Sequence, residues 1–126
     1  MGEAPGRYRS RQRAHETEAV VARYLAEHGW PYAKPVGAGK GGRDVTGVPG
    51  VAVEVKSQRH LRLLSWLRQA ASHRETAGEL AAVVERPDGM GPASAGSWPV
   101  IMRLEDWVRL LHVAGYGEPE EEEASG

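Results

Sequence analysis

Residues 42–56 have the sequence GRDVTGVPGVAVEVK, which predicts two short strands joined by a Pro-Gly turn. Pro49 and Gly50 suit the two central positions of a type II turn, where glycine supplies the positive φ. Because strand side chains alternate between faces, Glu54 and Lys56 point to one side, and Val53 and Val55 point to the other. The pattern therefore predicts a hairpin that packs its valines and presents a carboxylate beside an ammonium.

The register of this hairpin decides whether a second acid joins Glu54. A symmetric two-residue loop would pair Val45 with Glu54 and turn Asp44 away, whereas an odd loop or a bulge would set Asp44 opposite Glu54. We predict the odd register, because an Asp beside a Glu forms a hard-oxygen site for Mg²⁺. The alternative is a surface hairpin with scattered charges.

A helix is predicted before the hairpin. Its periodicity runs from Ser10 or Arg11 to His28, and Gly29 ends it. Glu18 falls within the apolar stripe of this helix, which costs free energy unless the carboxylate is paired or binds a cation. Two interpretations stay open: a site residue, or a Glu at the rim of the stripe that is held by an arginine.

The other segments alternate between strand and helix patterns. In chain order we predict strand 30–36, helix 60–77, strand 80–85, loop 86–97, strand 98–103 and helix 104–113. In the last helix, the side chains expected to face inward are Leu104, Trp107, Val108 and Leu111. Together with the first helix and the hairpin, these elements predict an α/β domain in the order α-β-β-β-α-β-β-α.

Composition limits the kinds of site and partner. The 126 residues include no cysteine, so a bound metal must use oxygen or imidazole ligands. Residues 1–74 carry 13 Lys and Arg against 6 Asp and Glu, whereas residues 75–126 carry 3 against 11. We expect residues 115–126 to be a disordered acidic tail on a basic body, which favours a polyanion as partner. No apolar run approaches the length of a membrane span, so we expect a cytoplasmic protein.

Two basic segments flank the first helix and the hairpin. Residues 1–9 are expected to form a flexible basic arm. Candidate phosphate contacts in and after this arm are Arg7, Arg9, Arg11 and Arg13. A glycine-rich loop over residues 37–43 carries Lys40 and Arg43 but lacks the ending of a Walker loop. We expect this loop to let a nucleic-acid backbone approach Asp44.

The histidines are expected to be surface residues. None of the five has a partner at a spacing typical of metal ligands, and His60 alone lies near Lys56 in the sequence. The five are His15, His28, His60, His73 and His112.

Glu18, Asp44, Glu54 and Lys56, followed by Gln58, are residue types suited to metal-assisted hydrolysis of a phosphodiester. In order and spacing they resemble the PD-(D/E)xK nuclease superfamily, and within it the small Holliday-junction resolvases of actinobacterial phages and prophages. The resemblance implies a restriction-endonuclease-like core, with a mixed central β-sheet flanked by helices. It gives a nuclease domain at residues 10–114, between the basic arm (1–9) and the acidic tail (115–126).

The resemblance also implies a role for each site residue. Asp44 and Glu54 are metal ligands, with the Val55 carbonyl as a third, and Lys56 activates the attacking water. Glu18 contacts the metal directly or through water. The implied cofactor is Mg²⁺, for which Mn²⁺ substitutes.

The implied partner is DNA. Arg43 stands where the superfamily motif has a proline and is expected to contact the scissile phosphate. The candidate DNA-binding residues are Arg7, Arg9, Arg11, Arg13, Lys40, Arg43, Gln58, Arg59 and Arg62. The expected activity is Mg²⁺-dependent cleavage of branched DNA by a homodimeric Holliday-junction resolvase, whose two sites match a two-fold junction. The alternatives are a nicking, repair or restriction-type endonuclease of the same fold, or a non-catalytic DNA-binding module.

Overall fold

The computed structural model describes the backbone of residues 5–37, 41–58 and 60–118, and within these ranges the side chains from residue 9 onward. The helices of the described residues are α1 (Pro5–Glu27), α2 (Leu63–Ser72) and α3 (Leu104–Val113). The strands are β1 (Lys34–Pro35), β2 (Val45–Thr46), β3 (Val51–Lys56), β4 (Leu80–Glu85) and β5 (Val100–Ile101), and a 3₁₀ helix (Pro92–Ser97) precedes β5. None of the described helices combines the length and the apolar character needed to cross a membrane.

The five strands form one mixed sheet in the order β1-β2-β3-β4-β5. β3 and β4 are parallel, whereas the other neighbouring strands are antiparallel. A parallel pair needs a crossover connection, which α2 supplies. The predicted α/β fold, with a mixed sheet flanked by helices, is confirmed.

The β2–β3 hairpin adopts the odd register that the sequence analysis predicts. Val45 pairs with Val53, so the symmetric pairing of Val45 with Glu54 does not form. In this register, Asp44 lies opposite Glu54, one residue beyond the paired position. The register therefore brings the second acid to the same end of the hairpin as the first.

A type II turn closes the hairpin. The Val51 amide donates to the Val48 carbonyl at 3.2 Å, and Gly50 has a φ of 85°, as the third position of such a turn requires. Gly47, just before the turn, has a φ of 83° and lies against the backbone of Tyr32. A Cβ at position 47 would overlap the Tyr32 carbonyl, so this approach needs glycine.

The two faces of the sheet are covered by different helices. On one face, Val21 and Ala22 of α1 pack with Val53 and Val55 in a buried cluster. The predicted apolar stripe of the first helix and the valine face of the hairpin therefore meet. The opposite face carries the side chains of Glu54 and Lys56, as the strand alternation requires.

α2 covers this opposite face. Trp66 and Ala70, one helical turn apart, pack on Ala81 and Val83 of β4. Ala70 and Ala81 have no exposed surface, and two such small residues let the helix approach the sheet closely. α2 is therefore packed against β4 and also contacts the neighbouring strand β3.

Several element boundaries differ from the predictions. α1 begins at Pro5, because proline suits the first turn of a helix, so residues 5–9 of the expected arm are helical. β1 and β5 have two residues each, because Pro35 within β1 and Pro99 before β5 cannot donate to a ladder. α2 spans residues 63–72 rather than 60–77, whereas β4 and α3 have their predicted ranges. Residues 119–126 of the expected tail lie outside the described residues.

The predicted inward face of α3 is wrong. Leu104, Trp107 and Val108 are 71%, 51% and 38% exposed, and Leu111 is half-buried. Asp106 is the buried residue of this helix. Periodicity identifies an amphipathic helix, but it does not say whether the surface that covers the apolar face belongs to the same chain.

Candidate active site

Asp44 and Glu54 bring two carboxyl groups together at the end of the β2–β3 ladder. The two groups interact directly, as hydrogen-bonding neighbours and as like charges. Asp44 is fixed from two sides: its amide donates to the Val53 carbonyl at 3.0 Å, and its Oδ2 accepts a hydrogen bond from the Val55 amide at 2.8 Å. The acids that the odd register was expected to join are therefore neighbours in the structure.

The Glu54 carboxyl group is enclosed, since only 1% of the side chain is exposed. Its Oε1 contacts the Nδ1 of His73, just beyond the last residue of α2. The pKa of Glu54 is raised to about 7, because burial and the neighbouring Asp44 carboxyl group raise it more than the hydrogen bond to His73 lowers it. His73, expected to be a surface residue, is instead the partner of a buried carboxyl group.

Lys56 lies two residues beyond Glu54 on the same side of β3. Its Nζ donates to the Oε1 of Gln69 at 2.6 Å. Gln69 of α2 and His73, the residue that follows the helix, are four positions apart, so they lie along the same side of it. One helix thus contacts both charged residues of the Glu-x-Lys strand.

A cavity of about 610 Å³ opens beside this group. Glu18 lines it from α1, and Asp44, Val55 and Lys56 line it from the hairpin and β3. Glu54 is not part of the cavity wall and lies enclosed next to Asp44. The structure therefore gathers all four candidate catalytic side chains, three of them at one open cavity.

Glu18 is half-buried, with its carboxylate within electrostatic reach of the hairpin residues. Burial raises the pKa of Glu18, and the charge of Asp44 raises it further, whereas His15 and Lys56 act in the opposite direction. Glu18 of α1 is thereby coupled to Asp44 and Lys56 across the cavity. Of the two interpretations left open by the sequence, this placement favours the site residue.

The donor set suits a hard divalent cation. Mg²⁺ is held in proteins by one or two carboxylates and otherwise by carbonyls and water, and Asp44, Glu54 and the Val55 carbonyl match that pattern. In the part of the chain that the structure describes, no three His, Cys, Asp or Glu side chains are arranged to hold a metal. A third carboxylate ligand is not required for Mg²⁺, which is commonly held through one or two carboxylates.

Arg43 is occupied within the fold rather than available to a phosphate. Its guanidinium forms a bidentate pair with Glu79, at 3.0 and 2.7 Å, and also donates to the carbonyls of Val51 and His73. Only 11% of its side chain is exposed. The expected contact with the scissile phosphate is corrected accordingly: Arg43 ties the hairpin to the segments that follow α2.

The other candidate DNA contacts fall into three groups. The exposed ones are Arg9, Arg11, Gln58 and Arg62. Arg13 is partly buried and pairs with Asp88 at 3.8 Å. Those outside the described side chains are Arg7, Lys40 and Arg59.

Sequence reasoning missed Gln69 and His73. The available signal was their position on α2: each follows a buried residue, Trp66 or Ala70, by three positions, and so borders the stripe that packs on the sheet. A polar residue at the border of a buried stripe reaches the neighbouring strand more readily than one on the opposite side of the helix.

Fold and site together define an α/β protein with a polar cavity at the end of a mixed sheet, where two neighbouring carboxyl groups meet a lysine. Comparison with protein-family models, with curated proteins and with solved structures finds no match for the chain. The chemistry of the site is therefore the basis on which its function is inferred.

Proposed function

We propose that the protein is a Mg²⁺-dependent endonuclease that hydrolyses phosphodiesters in branched DNA, with the Holliday junction as its substrate. The observation that carries the proposal is the hairpin register, which makes Asp44 and Glu54 neighbours beside a cavity that Lys56 lines. The element order α1-β1-β2-β3-α2-β4 supports a restriction-endonuclease-like core. Such a substrate implies action in the cytoplasm of a bacterial or phage-infected cell.

Each residue of the site has a role in this chemistry. Asp44 and Glu54 hold the cation, together with the Val55 carbonyl, and Mn²⁺ is expected to substitute for Mg²⁺. When bound, the ion polarises the phosphate and lowers the pKa of water. The Lys56 ammonium, oriented by a hydrogen bond, donates to the attacking water and offsets the charge that develops on the phosphate. Glu18 accepts a hydrogen bond from water in the cavity.

The cavity entrance also suits a nucleic-acid backbone. Arg11 and Arg13 of α1 line the cavity together with Gln58, which follows β3. The pairing of Arg13 with Asp88 is long and solvent-accessible, so it costs little to exchange for a phosphate contact. A strand that enters along α1 would therefore meet positive charge before it reaches Asp44.

We propose a second copy of this chain as the occupant of the apolar surface formed by β5 and α3. Its exposed side chains are Val100, Leu104, Trp107 and Val108. A groove of about 400 Å³ between β5 and α3 can receive a side chain of the second copy. A two-fold dimer would also place one site on each of two opposed strands.

The test of the dimer is the mass in solution by sedimentation velocity. The wild-type chain should be a dimer at micromolar concentrations, and Trp107→Glu should be a monomer. Leu64→Glu, which changes an exposed apolar residue of α2, serves as the control and should remain a dimer. A monomeric wild type would refute the dimer.

The test of the activity is cleavage of four-way junctions, flaps and plain duplex with Mg²⁺, by the wild type and by Lys56→Ala. Paired nicks in junctions alone, lost in the variant, are expected. Cleavage of flaps or plain duplex would instead favour a nicking, repair or restriction-type endonuclease. Binding without cleavage in every metal tested would refute the enzyme and favour a DNA-binding module.

A further inference from the structure

α2 faces the Glu-x-Lys strand with a matching pair of polar side chains. Gln69 accepts a hydrogen bond from Lys56, and His73 contacts the carboxyl group of Glu54. The spacing makes both contacts possible at once. Residues i and i+2 of a strand are about 6.6 Å apart along its axis, and residues i and i+4 of a helix are about 6 Å apart.

The helix that positions this pair is fixed at its middle and at its C-terminal end. Trp66 and Ala70 bury its central turns against β4. At its C-terminal end, the carbonyl of His73 accepts a hydrogen bond at 3.0 Å from Arg43, which is itself paired with Glu79. The position of His73 relative to β3 is therefore set by the packing of α2 on β4 and by the hydrogen bond from Arg43, and not only by its own side chain.

Without the contacts from Gln69 and His73, the side chains of Lys56 and Glu54 would have poorly defined positions. A lysine has four rotatable bonds, so fixing it in one rotamer costs conformational entropy. A buried carboxyl group without a hydrogen-bonding partner is costly and adopts whichever rotamer relieves that cost. The contacts from Gln69 and His73 remove both sources of disorder before any ligand arrives.

We propose that Gln69 and His73 are positioning residues, which hold Lys56 and Glu54 in the geometry that the catalytic site needs. This inference rests on the proposed nuclease function. The two residues act on different partners: His73 orients a metal ligand, whereas Gln69 orients the lysine that faces the water and the phosphate. Their loss should therefore change different kinetic quantities.

The expected effects separate the two roles. His73→Ala should raise the Mg²⁺ concentration needed for half-maximal cleavage about tenfold or more, as loss of a hydrogen bond to a metal ligand does elsewhere. His73→Asn, which keeps a donor at a similar position, should bring this Mg²⁺ concentration most of the way back to the wild-type value. Gln69→Ala should lower the cleavage rate at saturating Mg²⁺ about tenfold with little change in the Mg²⁺ requirement, and Gln69→Glu, which keeps the acceptor, should recover the rate.

The measurement is single-turnover cleavage as a function of Mg²⁺ concentration, with Mn²⁺ affinity of the DNA-free protein by calorimetry as a second readout. Ser72→Ala is the matched control, because it removes a hydrogen bond of the same helical turn without contacting Glu54 or Lys56. Folding of each variant is checked by circular dichroism. Because Gln69 is exposed, Gln69→Ala should fold, and it tests the positioning role of Gln69 even where His73→Ala fails to fold.

The outcomes separate the positioning roles of Gln69 and His73 from the nuclease proposal. Cleavage by the wild type together with unchanged rates and Mg²⁺ requirements in Gln69→Ala and His73→Ala would overturn the positioning roles alone. Absence of cleavage by the wild type on every DNA would overturn the proposed function. Mn²⁺ affinity would then decide the role of His73, which an affinity equal to wild type in His73→Ala would refute.

Discussion

The Arg43–Glu79 pair should contribute more to stability than any other described ion pair near the site. Both side chains are 11% exposed, and two hydrogen bonds of 3.0 and 2.7 Å join them. The hydrogen bonds from Arg43 are the main reason that the pKa of Glu79 is lowered from 4.5 to about 2. A shift of that size corresponds to about 3 kcal/mol of differential interaction. Water at the exposed fraction screens the pair, and Gln keeps part of the hydrogen bonding, so Glu79→Gln should lower the free energy of unfolding by about 2 kcal/mol.

The pH dependence of this loss follows from the direction of the shift. Because the pKa of Glu79 is lower in the folded state, its contribution is fully present above 4.5 and disappears as the pH falls through about 2. At pH 3, the difference between wild type and Glu79→Gln should be less than half of its value at pH 7.

The assay is urea unfolding at pH 7, pH 4 and pH 3, with the wild type, Glu79→Gln and Glu75→Gln measured side by side. Glu75→Gln is the control, because Glu75 is 78% exposed and lies 3.7 Å from Arg43, so its loss should cost less than about 0.5 kcal/mol. An equal deficit for Glu79→Gln at pH 7 and pH 3, or no deficit at pH 7, would refute the reasoning.

Two further predictions concern the hairpin. Gly47→Ala should destabilise the fold by more than about 3 kcal/mol, whereas Gly50→Ala should cost about 1–2 kcal/mol, because both glycines have positive φ but only a Cβ at position 47 meets the Tyr32 carbonyl; similar losses in urea unfolding would contradict this. Glu54→Gln should raise the melting temperature at pH 8 in EDTA while abolishing Mg²⁺-dependent cleavage. Burial raises the pKa of Glu54 to about 7, so ionisation of the wild-type residue removes stability as the pH rises from 4.5 to 7; a lower melting temperature for the variant at pH 8 would contradict that sign.

The hairpin was predictable because several local signals agree on it. The Pro-Gly turn and the valine alternation predict the hairpin itself, and the odd register, which we predict because it sets Asp44 opposite Glu54, is observed. The β4 strand was predictable for a similar reason, since a short apolar run between turn signals is typical of a buried strand. Patterns within one element were sufficient in both cases.

What the sequence did not reveal depends on contacts between distant elements. Arg43 appears as a loop arginine facing a phosphate, yet Glu79, 36 residues away, takes its guanidinium. His73 appears as a surface residue, yet the sheet brings Glu54 to it. The apolar face of α3 repeats at the right period, and only the fold shows that the described chain leaves Trp107 half-exposed. Periodicity shows which residues border a buried stripe, but it does not identify the distant residues that they contact.

Single-turnover cleavage of an immobile four-way junction by the wild type and by Asp44→Asn tests the nuclease assignment most directly. The wild type should cut two opposed strands with Mg²⁺ or Mn²⁺ and not in EDTA. Asp44→Asn should bind the junction and cut more than about a hundredfold more slowly, because it loses one of the two carboxylate ligands. Glu105→Gln, which changes an exposed carboxylate of α3, should cut like the wild type. Absence of metal-dependent cleavage by the wild type, or equal rates for wild type and Asp44→Asn, would contradict the assignment.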